Sequence, residues 1–257
     1  MSSKTTEYMS TEANSDLNKK YLESYTEEAK RYDQHRWQNP KGLFAKNQRN
    51  KFFFEILSKY GLIAPDKKII DVASGTGRVA LELVTFGYKK VVAVDLTNAM
   101  LDVSRSKLPE QYKNNLDYHV ADMKKLPFES NHFDGATLGA FFYLIPLSEY
   151  SAYLADVNRV LKKDGILVCE VMNQLHVFNP IKLIGKFIHR HIRGKKIKSH
   201  AYPWEFKTVF APFEVVEVIG TDFPGFFRIF GDGFVNFLSK SPLTKYFGGR
   251  FVVGLKK

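Results

Sequence analysis

The feature that most constrains this chain is a pair of apolar runs joined through a glycine loop. Ile69-Ile70-Asp71-Val72 runs into Ala73-Ser74-Gly75-Thr76-Gly77-Arg78, and Val91-Val92-Ala93-Val94 ends on Asp95. Runs this short and this apolar read as strands buried on both faces, the hallmark of a parallel sheet. Asp95 lies 20 residues beyond Gly75, the interval that one strand–helix–strand unit takes. Glycines let the loop backbone approach a ligand that a Cβ would keep away. A helix from about Arg78 to Phe86 would point its first N–H groups at that ligand. A carboxylate ending the second strand can accept both hydroxyls of a ribose. The pattern predicts an α/β fold that holds a nucleoside-containing cofactor.

The loop itself narrows the cofactor. A dinucleotide loop carries a third glycine three residues after the second, and here that place is Ala80, so the series is at best a degenerate dinucleotide fingerprint. A triphosphate loop would need Gly-Lys-Ser or Gly-Lys-Thr, which is absent. Asp71 discriminates further. A carboxylate beside the loop repels a pyrophosphate and favours a ligand with a cationic centre, such as an amino group or a sulfonium.

From these residues onward the sequence resembles the class I S-adenosylmethionine-dependent methyltransferases. Asp71-Val-Ala-Ser-Gly-Thr-Gly77 looks like their first motif, and Val94-Asp95 with Ala99-Met100-Leu101 like the second. Val120-Ala121-Asp122-Met123 with Leu126-Pro127-Phe128 looks like the third, and Phe133-Asp134-Gly135-Ala136 opens a fourth strand. Arg159-Val160-Leu161-Lys162-Lys163-Asp164-Gly165 looks like the turn before strand five. Ala73 departs from the commoner glycine, as it does in the methyltransferases of quinone biosynthesis, but Ser74 stands where that group usually has a second glycine. The resemblance covers roughly residues 50 to 172. It implies a Rossmann-like, seven-stranded, doubly wound sheet whose last strand is antiparallel and inserted between strands five and six, with helical lid insertions. It also implies S-adenosyl-L-methionine as cofactor.

At 257 residues the chain suits one such domain over residues 19–257, preceded by a polar, aperiodic stretch at 1–18 expected to be disordered. A leading helical cap spans 19–62, and insertions at about 173–203 and 223–249 interrupt the scheme. Strands are expected at about 68–72, 90–95, 116–121, 135–138 and 166–171, then near 213–222 and 250–255. A helix over about 148–161 joins strands four and five. Cys169 is the only cysteine, and the longest apolar run, about Ala136 to Leu147, is short for a bilayer and holds Pro146. Both point to a reducing, cytoplasmic location, with peripheral membrane contact left open. No metal-ligand spacing is evident.

By resemblance, the cofactor-binding candidates are Asp71, Ala73, Ser74, Gly75, Thr76, Gly77, Asp95, Leu96, Met100, Asp122, Met123, Leu138, Gly139 and Tyr32. Asp95 would take the ribose and Asp122 the adenine amino group, with Met123 beside the ring. Leu96 and Met100 either form the wall against adenine or pack helix to sheet. Asp71 either holds the loop or accepts from the methionine amino group. Tyr25, Tyr32 and Arg36 are lid residues that touch the cofactor or merely pack. Catalytic residues are not legible, because methyl transfer is an in-line displacement driven by the positive sulfur and needs a base only if the acceptor must lose a proton. Tyr143, His176, His200 and Tyr202 are the candidates near the mouth.

The net charge of +11 is unevenly distributed. Between Glu170 and Glu205 there is no acidic residue, while Lys182, Lys186, Arg190, Arg193, Lys195, Lys196 and Lys198 fall in that interval. Isoleucines and Phe187 at near-helical spacing suggest that 181–198 lies on an anionic membrane surface, its apolar face in the acyl boundary. The alternatives are an inward-packing lid with a basic rim, or phosphate contacts to RNA. Strand four runs on into Leu138-Gly139-Ala140-Phe141-Phe142-Tyr143, without the Asn-Pro-Pro-Tyr type motif of amino-group nucleic-acid methylases. The expected function is methyl transfer to a small-molecule or lipid-like hydrophobic acceptor. The rivals are an RNA methyltransferase, a non-catalytic S-adenosylmethionine-binding protein and a nucleotide-dependent oxidoreductase.

Overall fold

The structure is a computed structural model that describes residues 22–29, 31–33, 40–175, 200–223 and 225–257. The expected tail at 1–18, Arg36, His176 and the basic segment 181–198 lie outside the described residues.

Eight strands form one sheet: β1 (Lys68–Val72), β2 (Lys90–Asp95), β3 (Leu116–Val120), β4 (Phe133–Leu138), β5 (Leu161–Asn173), β6 (His200–Ala201), β7 (Glu214–Thr221) and β8 (Arg250–Lys256). Their spatial order is β3-β2-β1-β4-β5-β8-β7, with β6 pairing β5 off that path. The pairs from β3 through β5 are parallel, and β8 is antiparallel to both neighbours. The antiparallel strand inserted beside strand five is the arrangement that the resemblance implies. Because β5 and β7 both oppose β8, they run the same way. Their carboxyl ends therefore share an edge with the glycine loop that follows β1.

Residues 22–29 and 31–33 are helical and are called α1. Then come α2 (Pro40–Lys59), α3 (Ala80–Phe86), α4 (Asn98–Lys107) and α5 (Tyr150–Val160). Alternate strand residues feed two apolar layers. On one face Ile69, Val91, Val168 and Val252 pack with Phe52, Phe53, Ile56 and Leu57 of α2 and Leu83 and Val84 of α3. On the other, Ile70, Leu138, Cys169, Phe251 and Val253 pack with Tyr150, Leu154 and Val157 of α5 and with Phe206 and Phe210. Each fully buried aliphatic or aromatic side chain of this kind stabilises the fold by about 1.5–3 kcal/mol, which is why these strands read as unbroken apolar runs.

Two differences from the sequence reading have clear causes. An eighth strand, β6, lies at the end of the first insertion. β4 stops at Leu138, paired with Cys169, and Ala140 turns away at φ +56°. The edge of β5 is left open at Met172 and Asn173, and His200 and Ala201 take it. A two-residue strand has no periodicity to detect. Secondly, β5 begins at Leu161 rather than Ile166, because Leu161 pairs with Phe133 across an irregularity in register. The Lys-Lys-Asp-Gly sequence that reads as a turn is an extended passage with Asp164 at φ +62°.

Candidate cofactor site

A cavity opens at the carboxyl edge of β1, β2 and β4 and spans about 820 Å³ of space, part of it open solvent. From the expected set it brings together Tyr32, Ala73, Gly75, Asp95, Leu96, Met100, Asp122, Met123 and Gly139. Tyr25, Arg78, Thr97, Ala121, Ala140, Phe141, Leu144 and Tyr153 complete its wall.

Asp95 is held in two directions. Its Oδ2 accepts from the Gly75 N–H at 2.8 Å and its Oδ1 from the Thr97 N–H at 2.9 Å. Burial pushes its pKa up, while the bonds from Thr97 and Gly75 oppose the shift. Gly75 adopts φ +56°, and a Cβ there would meet no protein atom within 4 Å. Asp122 accepts from the Lys124 N–H at 2.9 Å and stands beside Met123 in the wall.

The structure places the rest of the expected loop set differently. Asp71 is buried beneath the loop and lies outside the cavity wall. Its Oδ2 accepts from Ser74 Oγ at 2.8 Å and the Ala80 N–H at 3.2 Å, and its Oδ1 from Thr137 Oγ1 at 2.7 Å. Burial raises its pKa against the pull of Thr137 and Ser74. The donor of Ala80, at the start of α3, is thereby consumed inside the protein. Gly77, at φ +76°, faces α4, where a Cβ would come within 1.9 Å of Ser104 Oγ. Thr76 is buried and donates to Asp33 Oδ1 at 2.7 Å, and Asp33 also pairs with Lys107. Leu138 is fully buried in the core.

Tyr25 and Tyr32 meet edge to face at 5.8 Å and pack with Ala29 against Met100. Arg78 stacks its guanidinium 5.6 Å from the Tyr32 ring centre. Asp33, through Thr76 and Lys107, ties this helix to the loop and to α4.

Sequence reasoning missed a buried ionic group under the far end of the crevice. Arg49 of α2 packs beneath Gly139, where a Cβ would lie 3.4 Å from its Nη1. Its guanidinium donates to Asn50 Oδ1 and approaches Glu170 to 4.0 Å. Arg250 donates to Glu170 at 3.0 Å and lies 3.5 Å from Asp222. Burial opposes ionisation of Glu170, but the charges of Arg250 and Arg49 outweigh it and hold the carboxyl below the usual range. Burial, then the charge of Arg78, lowers the Arg49 pKa to about 10, which leaves it cationic at neutral pH. The available signal was Glu170 itself, an acid inside a buried apolar strand, which demands a cationic partner.

Of the catalytic candidates, Tyr143, His200 and Tyr202 lie outside the cavity wall. Tyr143 is close enough to Arg250 to interact with its charge. His200 sits on β6, and Tyr202 stacks on Trp204 at 4.5 Å. Among the described residues no cluster of potential metal ligands occurs.

Residues 69–165 match the family model of a methyltransferase domain. A demethylmenaquinone methyltransferase of Staphylococcus haemolyticus is 35% identical over 126 residues, 47% of this chain and 51% of the relative. A ubiquinone/menaquinone biosynthesis C-methyltransferase of a Shewanella species is 37% identical over 153 residues, 55% of this chain and 58% of the relative. The chain thus spans little more than half the length of these curated relatives. Among solved structures, a Methanosarcina mazei protein described as a SAM-dependent methyltransferase aligns with TM-score 0.57 at 18% identity, over 79% of this chain and 96% of that one. A Synechocystis magnesium protoporphyrin IX methyltransferase with bound SAH aligns with TM-score 0.57 at 13% identity, over 82% of both chains. These structural likenesses speak for the fold, and the matched model and the sequence relatives for what lies on it: residues 69–165 form a methyltransferase domain, similar over that stretch to methyltransferases of quinone biosynthesis.

Proposed function

We infer that the protein transfers a methyl group from S-adenosylmethionine to a hydrophobic small-molecule acceptor, and that residues 19–257 act as one domain. The carrying observation is the cavity wall, which joins Asp95, Asp122 and Gly75 with the apolar and aromatic side chains of Phe141, Leu144 and Tyr153.

The residues present fit the cofactor. Asp95 borders the cavity at the end of β2, held by the Gly75 and Thr97 N–H groups, which suits a carboxylate that meets ribose hydroxyls. Asp122 and Met123 suit an adenine amino group and ring face, with Leu96 and Met100 opposite. Gly75, without a Cβ, leaves the loop backbone open to the amino-acid portion. When bound, the cofactor supplies a sulfonium carbon whose bond electrons return to sulfur as the acceptor takes the methyl. The protein then has to orient, shield and, for a protonated acceptor, remove a proton. Tyr25, Tyr32 and Tyr153 flank the cavity and would exclude water. Asp71 is assigned to the loop's scaffold rather than to the ligand. Tyr143, His200 and Tyr202 remain the candidates for proton handling at the acceptor side, with Tyr143 favoured by its proximity to Arg250.

The relatives are methyltransferases of menaquinone and ubiquinone biosynthesis, and an aromatic-lined cavity suits such an acceptor. The basic segment 181–198 is proposed to draw the protein to an anionic membrane surface from a cytoplasmic location. Among the described residues no helix is long and apolar enough to cross a membrane. The test is transfer of a labelled methyl group into fractionated cell extract. Label in the lipid or apolar small-molecule pool is the expected result. Label confined to RNA, or no label despite measured cofactor binding, would refute the acceptor assignment.

A further inference from the structure

Among the described residues eleven large apolar side chains are exposed, and six of them lie between residues 229 and 246. They sit on the segment that links β7 to β8, which contains α6 (Gly231–Lys240). Val235, Leu238 and Ser239 bury one side of α6. Phe230, Phe234 and Phe237, spaced four and three apart, form a stripe on the other side, with Phe230 60% and Phe237 66% exposed. Ile229 beside them is 78% exposed, and the Phe230 and Phe234 rings touch at 5.1 Å. A helix apolar on both sides is not explained by packing among the described residues. Because β7 ends at the same sheet edge as β1 and β5, this segment leaves the edge on which the cavity opens. Trp204, 66% exposed, follows β6 at that edge too.

We propose that the aromatic stripe of α6 is a membrane-docking surface that inserts into the interfacial region of an anionic lipid bilayer. The charge of the chain selects this occupant. A net +11 is drawn to anionic headgroups and makes two copies of the chain repel one another. Lysines stand where headgroups would meet the helix: Lys51 donates to Asn236 of α6, and Lys240 of α6 pairs with Glu55. Exposed Phe and Ile beside Lys is the composition of interfacial anchors, in which rings enter the acyl boundary and ammonium groups stay at headgroup level. The site is distinct from segment 181–198 and deepens the membrane reading given above, on which the choice of an anionic surface partly rests. It does not depend on methyl transfer.

The test is flotation of the full chain with vesicles of phosphatidylcholine alone and of phosphatidylcholine with phosphatidylglycerol. Three proteins are compared: the natural chain, an Ile229→Ser/Phe230→Ser/Phe237→Ser variant and a variant lacking 181–198. Phe234 is kept because it contacts Phe227. Thermal melting and S-adenosylmethionine binding verify that each variant is folded. Partition of the natural chain onto anionic vesicles, falling about tenfold or more in the triple variant, supports the proposal. A Phe237→Trp variant should also show blue-shifted emission on those vesicles beyond that of the natural tryptophans. The proposal is overturned if the triple variant floats as well as the natural chain, or if the natural chain does not float. It is equally overturned if the triple substitution instead converts a dimer to a monomer. Loss of flotation on deleting 181–198 alone would keep the basic-segment reading and reject this one.

Discussion

The two acids that frame the glycine loop make an instructive comparison. Asp71 and Asp95 sit on neighbouring strands, and burial raises the pKa of each. Asp71 binds Ser74, Ala80 and Thr137 beneath the loop and lies outside the cavity wall, whereas Asp95, held by Gly75 and Thr97, borders the cavity. The same division separates the loop's glycines. A Cβ on Gly77 would collide with Ser104, whereas one on Gly75, also at positive φ, would meet no protein atom within 4 Å. On the proposed function the loop is built in two layers, one that fixes the backbone and one that meets the ligand.

The sharpest way to break this division is Gly77→Ala. The added Cβ would collide with Ser104 and sit at positive φ, so stability should fall by about 2–4 kcal/mol in chemical denaturation. A Ser104→Gly change should restore part of it. Next, Asp71→Ala strands two hydroxyls and one N–H in the core and should cost about 2–3 kcal/mol of stability. Asp95→Ala should show the opposite profile. S-Adenosylmethionine affinity, by calorimetry, should fall by about 1–3 kcal/mol, with a smaller loss of stability. Equal profiles for the two acids would erase the distinction.

Proton linkage offers a finer probe. Asp95 must be ionised to accept from ribose, and its pKa is raised. Affinity should therefore decline as pH falls, beginning above the range of an ordinary aspartate, and Asp95→Asn should flatten that decline. An unfolding control belongs beside it, because Asp134 shifts the other way. Burial works against its ionisation, but the bonds from Lys162 and the Lys68 N–H and the charges of Lys162 and Lys67 hold its carboxyl below the usual range. Its contribution to stability is present above the ordinary aspartate pKa and is lost as pH falls through the lower, folded value. The smallest expected effect is Ala73→Gly. Ala73 holds φ +50°, so glycine relieves strain of about 1–2 kcal/mol but frees the unfolded chain, leaving a net gain between zero and about 1 kcal/mol in the melting curve.

The strands β1 and β2 and the loop between them were legible because both faces are buried and the spacing is local. The antiparallel insertion of β8 came from resemblance, since nothing local in Arg250 to Leu255 tells which strand it will join. β6 escaped notice because two residues carry no period. Asp95, placed by spacing, and Asp122 and Met123, placed by resemblance, line the cavity. Arg49, Glu170 and Arg250, from α2, β5 and β8, are remote in sequence and meet only through tertiary packing. Asp33 was equally hidden, for its partners Thr76 and Lys107 lie 43 and 74 residues away.

The position of β8 has a consequence for how such a chain can change. Thr221 and Arg250 are paired neighbours, so everything from 222 to 249 is a loop clamped at adjacent points of the sheet. The entropy of closing a clamped loop grows only with the logarithm of its length, about 0.6 kcal/mol per doubling. Residues can thus be added to or removed from this segment at little cost to the sheet, while the cofactor half stays as it is. The edge facing the acceptor behaves as an interchangeable part, free to be rewritten for a new substrate or surface without refolding the rest.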